Sequence, residues 1–317
     1  MPGSDPPRAS VMAYNLRNCG RTKFNQHRDA IVAVLSAASV SVAIEVRDDS
    51  KDGQLLQDML DALNGAAVRG GRGAGGGAHG GGRGRSPPRF TTADGIWRSP
   101  ADAGGRYAAV ASEPLGSSSR KERFVFFYRC NELVVKDARL VHECASVCDR
   151  VPMAVRFAWR ARPKKQFTLI SVHTRPQVAA EELVELHRAL NLIDDAWRPS
   201  WRARIAKYLA RGEKRNVGPI LLGDFNAGSN FVTHKDRESH VLWRSPDLTW
   251  LVSDDVNTMS SHNGQAHDRI VVPSHHARFL EDARVNELRG VRGVTADALS
   301  DHLPLQLVVR CSNRTGR

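Results

Sequence analysis

The residues best suited to chemistry sit in Leu221-Leu222-Gly223-Asp224-Phe225-Asn226-Ala227. Apolar residues drive a buried strand up to Gly223, and an acid and an amide follow two positions apart. Alternation along an extended chain puts Asp224 and Asn226 on one side. A carboxylate and an amide carbonyl converging at a strand end suit a hard divalent cation and a phosphate oxygen. The alternative for this run is a strand followed by an Asx turn. Four further stations share its character. Val11 to Arg17 is a short apolar strand carrying Asn15. Val40 to Val46 contains Glu45 and leads to Arg47 and Asp48. Phe167 to His173 ends in a histidine, and Ser300-Asp301-His302 precedes a last strand over Leu305 to Val309. Acids, amides and histidines at the edges of five apolar strands describe one site assembled from distant segments.

These residues in this order resemble the endonuclease/exonuclease/phosphatase superfamily and, within it, the deoxyribonuclease I family. The narrowing segments are Glu45-Val46-Arg47-Asp48, Ser112-Glu113-Pro114-Leu115-Gly116, Arg120-Lys121-Glu122-Arg123-Phe124, Gly223 to Ala227, Asp268-Arg269-Ile270-Val271-Val272 and Ser300-Asp301-His302. The Ser-Glu-Pro-Leu-Gly segment separates this family from abasic-site endonucleases and inositol phosphatases. The resemblance implies a four-layer α/β sandwich of two mostly antiparallel sheets flanked by helices. Short apolar strands alternating with amphipathic stretches, such as Arg28 to Ser36 and Glu181 to Trp197, agree with it. The expected organisation is a flexible 1–10, a single domain over 11–310 and a tail over 311–317.

The resemblance also implies roles. His173 and His302 approach the scissile phosphate together, with Glu122 paired to His173 and Asp268 to His302. One histidine deprotonates water and the other protonates the leaving 3′ oxygen; which does which stays open. Histidine suits both tasks near neutral pH, and a carboxylate fixes its tautomer. Glu45, Asp224 and Asp301 supply carboxylates for Mg²⁺ or Mn²⁺, with Asn15 and Asn226 orienting the phosphate or completing the shell. Ca²⁺ is a candidate structural ion. Arg47 matches a residue entering the minor groove, and Arg17 and Arg150 match phosphate contacts. Arg120 stands where the family has a tyrosine that packs on a deoxyribose, and Ser117 stands where it has an arginine. Double-stranded DNA is the expected partner of a monomer, with weak sequence preference. Actin binding is left open. A lipid or inositol phosphate hydrolase of the same fold and a catalytically silent DNA-binding relative are the two rival readings.

The formal net charge of +12 suits a polyanionic partner. It also fits the Arg-, Ala- and Gly-rich composition of the chain. Eleven of the 20 residues over 65–84 are glycine. A segment so poor in apolar surface predicts a mostly disordered insertion over about 65–105, either passive or an Arg/Gly tether for nucleic acid. Five cysteines, an odd count without zinc spacing, argue against a disulfide-dense domain. Cys144 and Cys148 are close enough for a small-loop bridge, near where the family carries one. The positions of its larger bridge correspond to Ser229 and Gln265. No run reaches membrane-spanning length. Met1 to Ser10 does not read as a leader, so the expected compartment is intracellular, the nucleus included, with secretion the alternative the family suggests.

Overall fold

The computed structural model describes residues 6–48, 50, 53–70, 91–99, 105–196, 216–261, 264–288, 291 and 294–311. Two sheets face each other. The first holds eight strands in the order β13-β14-β1-β2-β6-β5-β4-β3. Its strands are β1 (Arg8–Cys19), β2 (Val40–Val46), β3 (Thr91–Ala93), β4 (Ile96–Arg98), β5 (Tyr107–Ser112), β6 (Arg123–Arg129), β13 (Leu280–Val285) and β14 (Leu305–Arg310). The second holds six in the order β11-β12-β10-β9-β8-β7. These are β7 (Leu133–Leu140), β8 (Met153–Trp159), β9 (Arg162–His173), β10 (Asn216–Asp224), β11 (Leu248–Trp250) and β12 (Asp268–Pro273). Pairing is parallel between β1 and β2 and between β9 and β10, and antiparallel at the other named pairs. Helices α1 (Arg21–Gln26), α2 (Arg28–Leu35) and α3 (Gln54–Gly70) accompany the first sheet, and α4 (Ala179–Ala196) the second.

The alternation of side chains sorts each strand into two cores. Val11 and Ala13 of β1, Val40, Val42 and Ile44 of β2, and Phe124, Phe126 and Tyr128 of β6 face Phe167 and Leu169, Ile220 and Leu222, and Ile270 and Val272 of the opposing sheet. The intervening Met12, Tyr14, Ala43, Val125 and Phe127 pack outward with Phe24, Ile31, Leu35, Leu56 and Met59 of α1–α3. Ile170, Val172, Leu221 and Val271 pack outward with Leu183 and Leu186 of α4. The result is helix, sheet, sheet, helix, as the resemblance implies. The inward rows have a consequence for chemistry. Extended by one step, or on β9 by two, they reach Asn15, Glu122, His173, Asp224 and Asp268, so the site continues the inter-sheet core at the strand ends.

Two expectations need correction. Residues 8–10 belong to β1 and pair with β14 through Arg8↔Arg310, Ala9↔Val309 and Ser10↔Val308. Of the segment read as a disordered insertion, 65–70 complete α3, and β3 and β4 form a hairpin turned at Asp94 and Gly95. Ile96 and Trp97 are apolar enough to anchor it: Ile96 joins the inter-sheet core, and the buried Arg123 guanidinium lies 4.3 Å from the Trp97 ring centroid. The remainder, 71–90 and 100–104, lies outside the described residues, as do 1–5 and 312–317. The bridge that the sequence left open between Cys144 and Cys148 is not formed. The Cys144 thiol donates to the carbonyl of Val141 at 3.0 Å.

Candidate active site

Asp224 is the hub. In register it lies between His173 on β9 and Asp268 on β12. Gly223 before it adopts φ +134, where a Cβ would lie 2.3 Å from the Val172 carbonyl oxygen, so only glycine lets β10 run this close to β9. The Asp224 side chain is buried, and its Oδ2 lies 3.5 Å from Nε2 of His173 and 3.5 Å from Nε2 of His302. Behind each imidazole stands a buried carboxylate. Glu122 Oε1 is 2.5 Å from His173 Nδ1, and Asp268 Oδ2 is 2.8 Å from His302 Nδ1. Two carboxylate–histidine dyads therefore converge on one oxygen.

The fields follow from that geometry. Burial opposes charge on His302, but the carboxylates of Asp268 and Asp224 outweigh it and push its pKa up to about 10. His173 is also raised, its burial overcome by the charge and hydrogen bond of Glu122. Asp224 is lowered despite burial, held ionised by His302 and His173 and by the N–H of Asn226.

The other wall comes from β1 and β2. Alternation alone would turn Glu45 outward. Instead its left-handed backbone, φ 59 where the β2–β6 register shifts, re-aims the side chain into the site. The Asn15 amide donates to Glu45 Oε1 at 2.9 Å and to Asp224 Oδ2 at 3.1 Å. Arg17 and Asn18 are also left-handed, at φ 44 and 55. Their N–H groups hold Asn15 Oδ1 at 2.8 Å and Glu45 Oε2 at 2.7 Å. Lys23 of α1 fastens this turn, donating to the carbonyls of Leu16 and Arg17 at 2.8 Å each. Ser300 Oγ donates to the Asn15 carbonyl at 2.7 Å and accepts the N–H of His302 at 3.2 Å, tying the two ends of the chain together.

Two groups among the described residues could hold a metal ion: Glu45, Glu122 and His173, and Asp224, Asp268 and His302. The donor chemistry fits a hard divalent cation. Glu45 and Asp224 are two largely buried anions that share one neutral donor, the Asn15 amide, and their free lone pairs are oxygen. No separate group of this kind for a structural Ca²⁺ occurs among the described residues.

Not every expected residue sits as expected. Asn226 does not continue the strand: it turns left-handed at φ 45, its N–H bonds Asp224 Oδ1 at 2.9 Å, and its amide donates to the Thr174 carbonyl at 2.8 Å. The Asx turn and the site are the same feature. Asp301 joins neither dyad and pairs with Arg17 Nε at 3.5 Å. Arg150 points inward, its Nε 3.0 Å from Glu122 Oε1, so this guanidinium is committed to the His173 dyad. Arg47 is half-buried, with its N–H on the Cys19 carbonyl at 2.9 Å. Arg120 is exposed. Ser229 Oγ donates to Gln265 Oε1 at 3.0 Å, a hydrogen bond at the positions matched to the larger family bridge.

Lys23 and His267 were not singled out by the sequence, and Ser300 entered only as part of the Ser300-Asp301-His302 segment. His267 is buried beside Asp268, with its ring 6.4 Å from that of His302. Burial lowers its pKa, the opposite of the shifts at His302 and His173. Its position immediately before Asp268 was the available signal.

The fold has counterparts among solved structures. An endonuclease/exonuclease/phosphatase family protein from Bacteroides vulgatus superposes with a TM-score of 0.53 at 11% identity, covering 96% of this chain and 99% of that one. The human nocturnin catalytic domain gives 0.51 at 14%, covering 98% and 97%. A mannosyl-6-phosphatase from Bacteroides thetaiotaomicron gives 0.50 at 14%, covering 95% and 99%. The chain thus has the endonuclease/exonuclease/phosphatase fold, which nucleases and phosphatases share.

Within that class its likeness is to deoxyribonuclease I. Deoxyribonuclease-1 of Homo sapiens is 26% identical over 314 residues, 95% of this chain and 92% of that protein. The Bos taurus protein of the same name is 28% identical over 317 residues, 94% and 91%. No protein-family model matches the chain. No helix among the described residues is long and apolar enough to cross a membrane.

Proposed function

We propose that the chain is a divalent-metal-dependent endodeoxyribonuclease. It hydrolyses DNA phosphodiester bonds with little sequence preference and leaves 5′-phosphate and 3′-hydroxyl ends. One observation carries this reading: two histidine–carboxylate dyads face the same Asp224 oxygen at 3.5 Å. In-line hydrolysis needs a proton acceptor for the attacking water and a proton donor for the leaving oxygen on opposite sides of one phosphorus. Paired imidazoles about one centre supply both. The full-length likeness to proteins named deoxyribonuclease-1 makes DNA the favoured substrate.

Glu122 and Asp268 hold Nδ1 of their histidines, leaving Nε2 of each to move a proton at the phosphate. Arg150 stabilises the Glu122 carboxylate and so fixes the His173 ring. Glu45 and Asp224, with Asn15 between them, would hold Mg²⁺ or Mn²⁺, while Asn226 and Asp301 shape the rim. When bound, such an ion supplies positive charge against the phosphoryl oxygens. Arg17, Arg47 and Arg120 would make the backbone and groove contacts, with guanidinium forks that suit phosphate oxygens.

The test is nicking of supercoiled plasmid followed by treatment with DNA ligase. Metal-dependent nicks that ligase reseals directly have 5′-phosphate and 3′-hydroxyl ends, the expected result. Hydrolysis of a lipid or sugar phosphate without any nicking would replace this reading with the phosphatase one. Tight DNA binding without hydrolysis of any phosphodiester would leave a silent relative.

A further inference from the structure

Glu182 is a buried carboxylate outside both dyads. It lies in the first turn of α4 and is 1% exposed. An acid so far from water needs partners, and two backbone N–H groups supply them. Its Oε1 accepts from Asp149 and its Oε2 from Arg175, at 3.1 Å each. Burial pushes its pKa up, while those two bonds and the charge of Arg150 pull against the rise. The start of a long helix also favours an anion.

The two N–H groups belong to segments distant in sequence, and both segments lead to His173. Arg175 stands two residues beyond His173, where the chain leaves β9. Asp149 precedes Arg150, whose Nε lies 3.0 Å from Glu122 Oε1, and that oxygen lies 2.5 Å from His173 Nδ1. Asp149 also reaches Glu122 by a second route. Its Oδ1 accepts the Ser117 N–H at 2.9 Å, in the loop that the Leu115–Glu122 bridge closes. The contacts make a closed ring through Glu182, Asp149, Arg150, Glu122, His173 and Arg175. One side chain thus braces the imidazole from two directions: the strand that carries it and the carboxylate that orients it. The other dyad is braced by hydroxyls instead. Thr258 Oγ1 accepts the Asp268 N–H at 3.1 Å, and Ser300 Oγ accepts that of His302 at 3.2 Å. A carboxylate suits the His173 task because each of its oxygens accepts one N–H, whereas an amide has a single accepting oxygen.

Resting on the nuclease reading above, we infer that Glu182 is a positioning residue for the hydrolysis. It acts through Arg150, Glu122 and His173, and it sets the rate of the chemical step rather than the affinity for DNA.

The experiment compares wild type, Glu182→Gln and Glu182→Ala, each also combined with His173→Ala, in plasmid nicking with Mg²⁺ below every thermal midpoint. Glu182→Gln keeps the size of the side chain and one acceptor, so it decides the question even if Glu182→Ala does not fold. It should lower kcat about tenfold, and Glu182→Ala about 10²-fold, the loss expected when a reacting group is misplaced by about 1 Å. KM, and plasmid affinity in EDTA, should change by less than about twofold in both. Combined with His173→Ala, either substitution should lower the residual rate by less than about twofold, because no imidazole is left to place. A folded Glu182→Gln with wild-type kcat overturns the inference and leaves the nuclease reading intact. So does a loss equally large with and without His173, which would make Glu182 a folding residue only. A wild type that cuts no DNA overturns both readings.

Discussion

Asp224 places one carboxylate oxygen 3.5 Å from both imidazoles, so its charge supports both dyads at once. Asp224→Asn keeps the shape and removes that charge. It should lower kcat/KM on plasmid by about 10²–10⁴-fold, the range expected when acid–base groups are disabled. Glu122→Gln, which touches one dyad only, should cost less; a greater loss from Glu122→Gln would place the hub elsewhere. The same fields have a pH signature in the metal-free protein. His302 has a folded pKa of about 10 against an unfolded value near 6.5. Its stabilisation is therefore complete below about pH 6.5 and lost as pH rises through about 10. In EDTA, the thermal midpoint of His302→Ala should fall furthest below wild type near pH 6.5, with the gap closing towards pH 10. A gap that widens with pH would contradict the assignment.

Elements, rather than single residues, set how closely these groups approach. Gly223→Ala forces a Cβ against the Val172 carbonyl at the β9–β10 seam. Unfolding experiments should show a loss of order 3 kcal/mol, as expected for strain plus overpacking. Lys23→Met removes both bonds that fasten the Leu16–Asn18 turn while keeping most of the aliphatic stem. Loosened support of this kind typically costs about 10–100-fold in metal affinity. Calorimetric titration with Mg²⁺ should show that loss, and unchanged affinity would make Lys23 a surface feature only. At this scale the sequence was legible where a rule was local. Period-two alternation identifies the inward rows that end at Asn15, His173, Asp224 and Asp268. Left-handed Glu45 breaks that alternation through a bulge that local pattern does not announce. Lys23, Ser300 and the inward turn of Arg150 depend on partners distant in space. The β3–β4 hairpin escaped notice because glycine-rich neighbours dominate its composition, although Ile96 and Trp97 suffice to anchor it.

For the whole molecule, fold and charge divide the work of recognition. The fold is shared with phosphatases and so does not choose the substrate. The net charge of +12 favours a polyanion. Affinity for duplex DNA in EDTA should fall log-linearly with salt, and Arg120→Ala should make the slope shallower by about 0.9, the value of one phosphate contact. A slope unchanged by Arg120→Ala would remove that arginine from the interface. The sequence conveyed the architecture well at this scale, since the inter-sheet core is written in alternating strands. It conveyed less about the stretch after α3, where composition alone masked an ordered hairpin.

The central claim is that both dyads act on one phosphodiester about Asp224. It is tested most directly by plasmid nicking with wild type, His173→Ala, His302→Ala and the double variant, each with Mg²⁺ and with EDTA. The account predicts metal-dependent nicking by wild type, a loss of about 10²-fold or more in each single variant, and a double variant little worse than either. Wild-type rates in either single variant, or nicking that persists in EDTA, would contradict it.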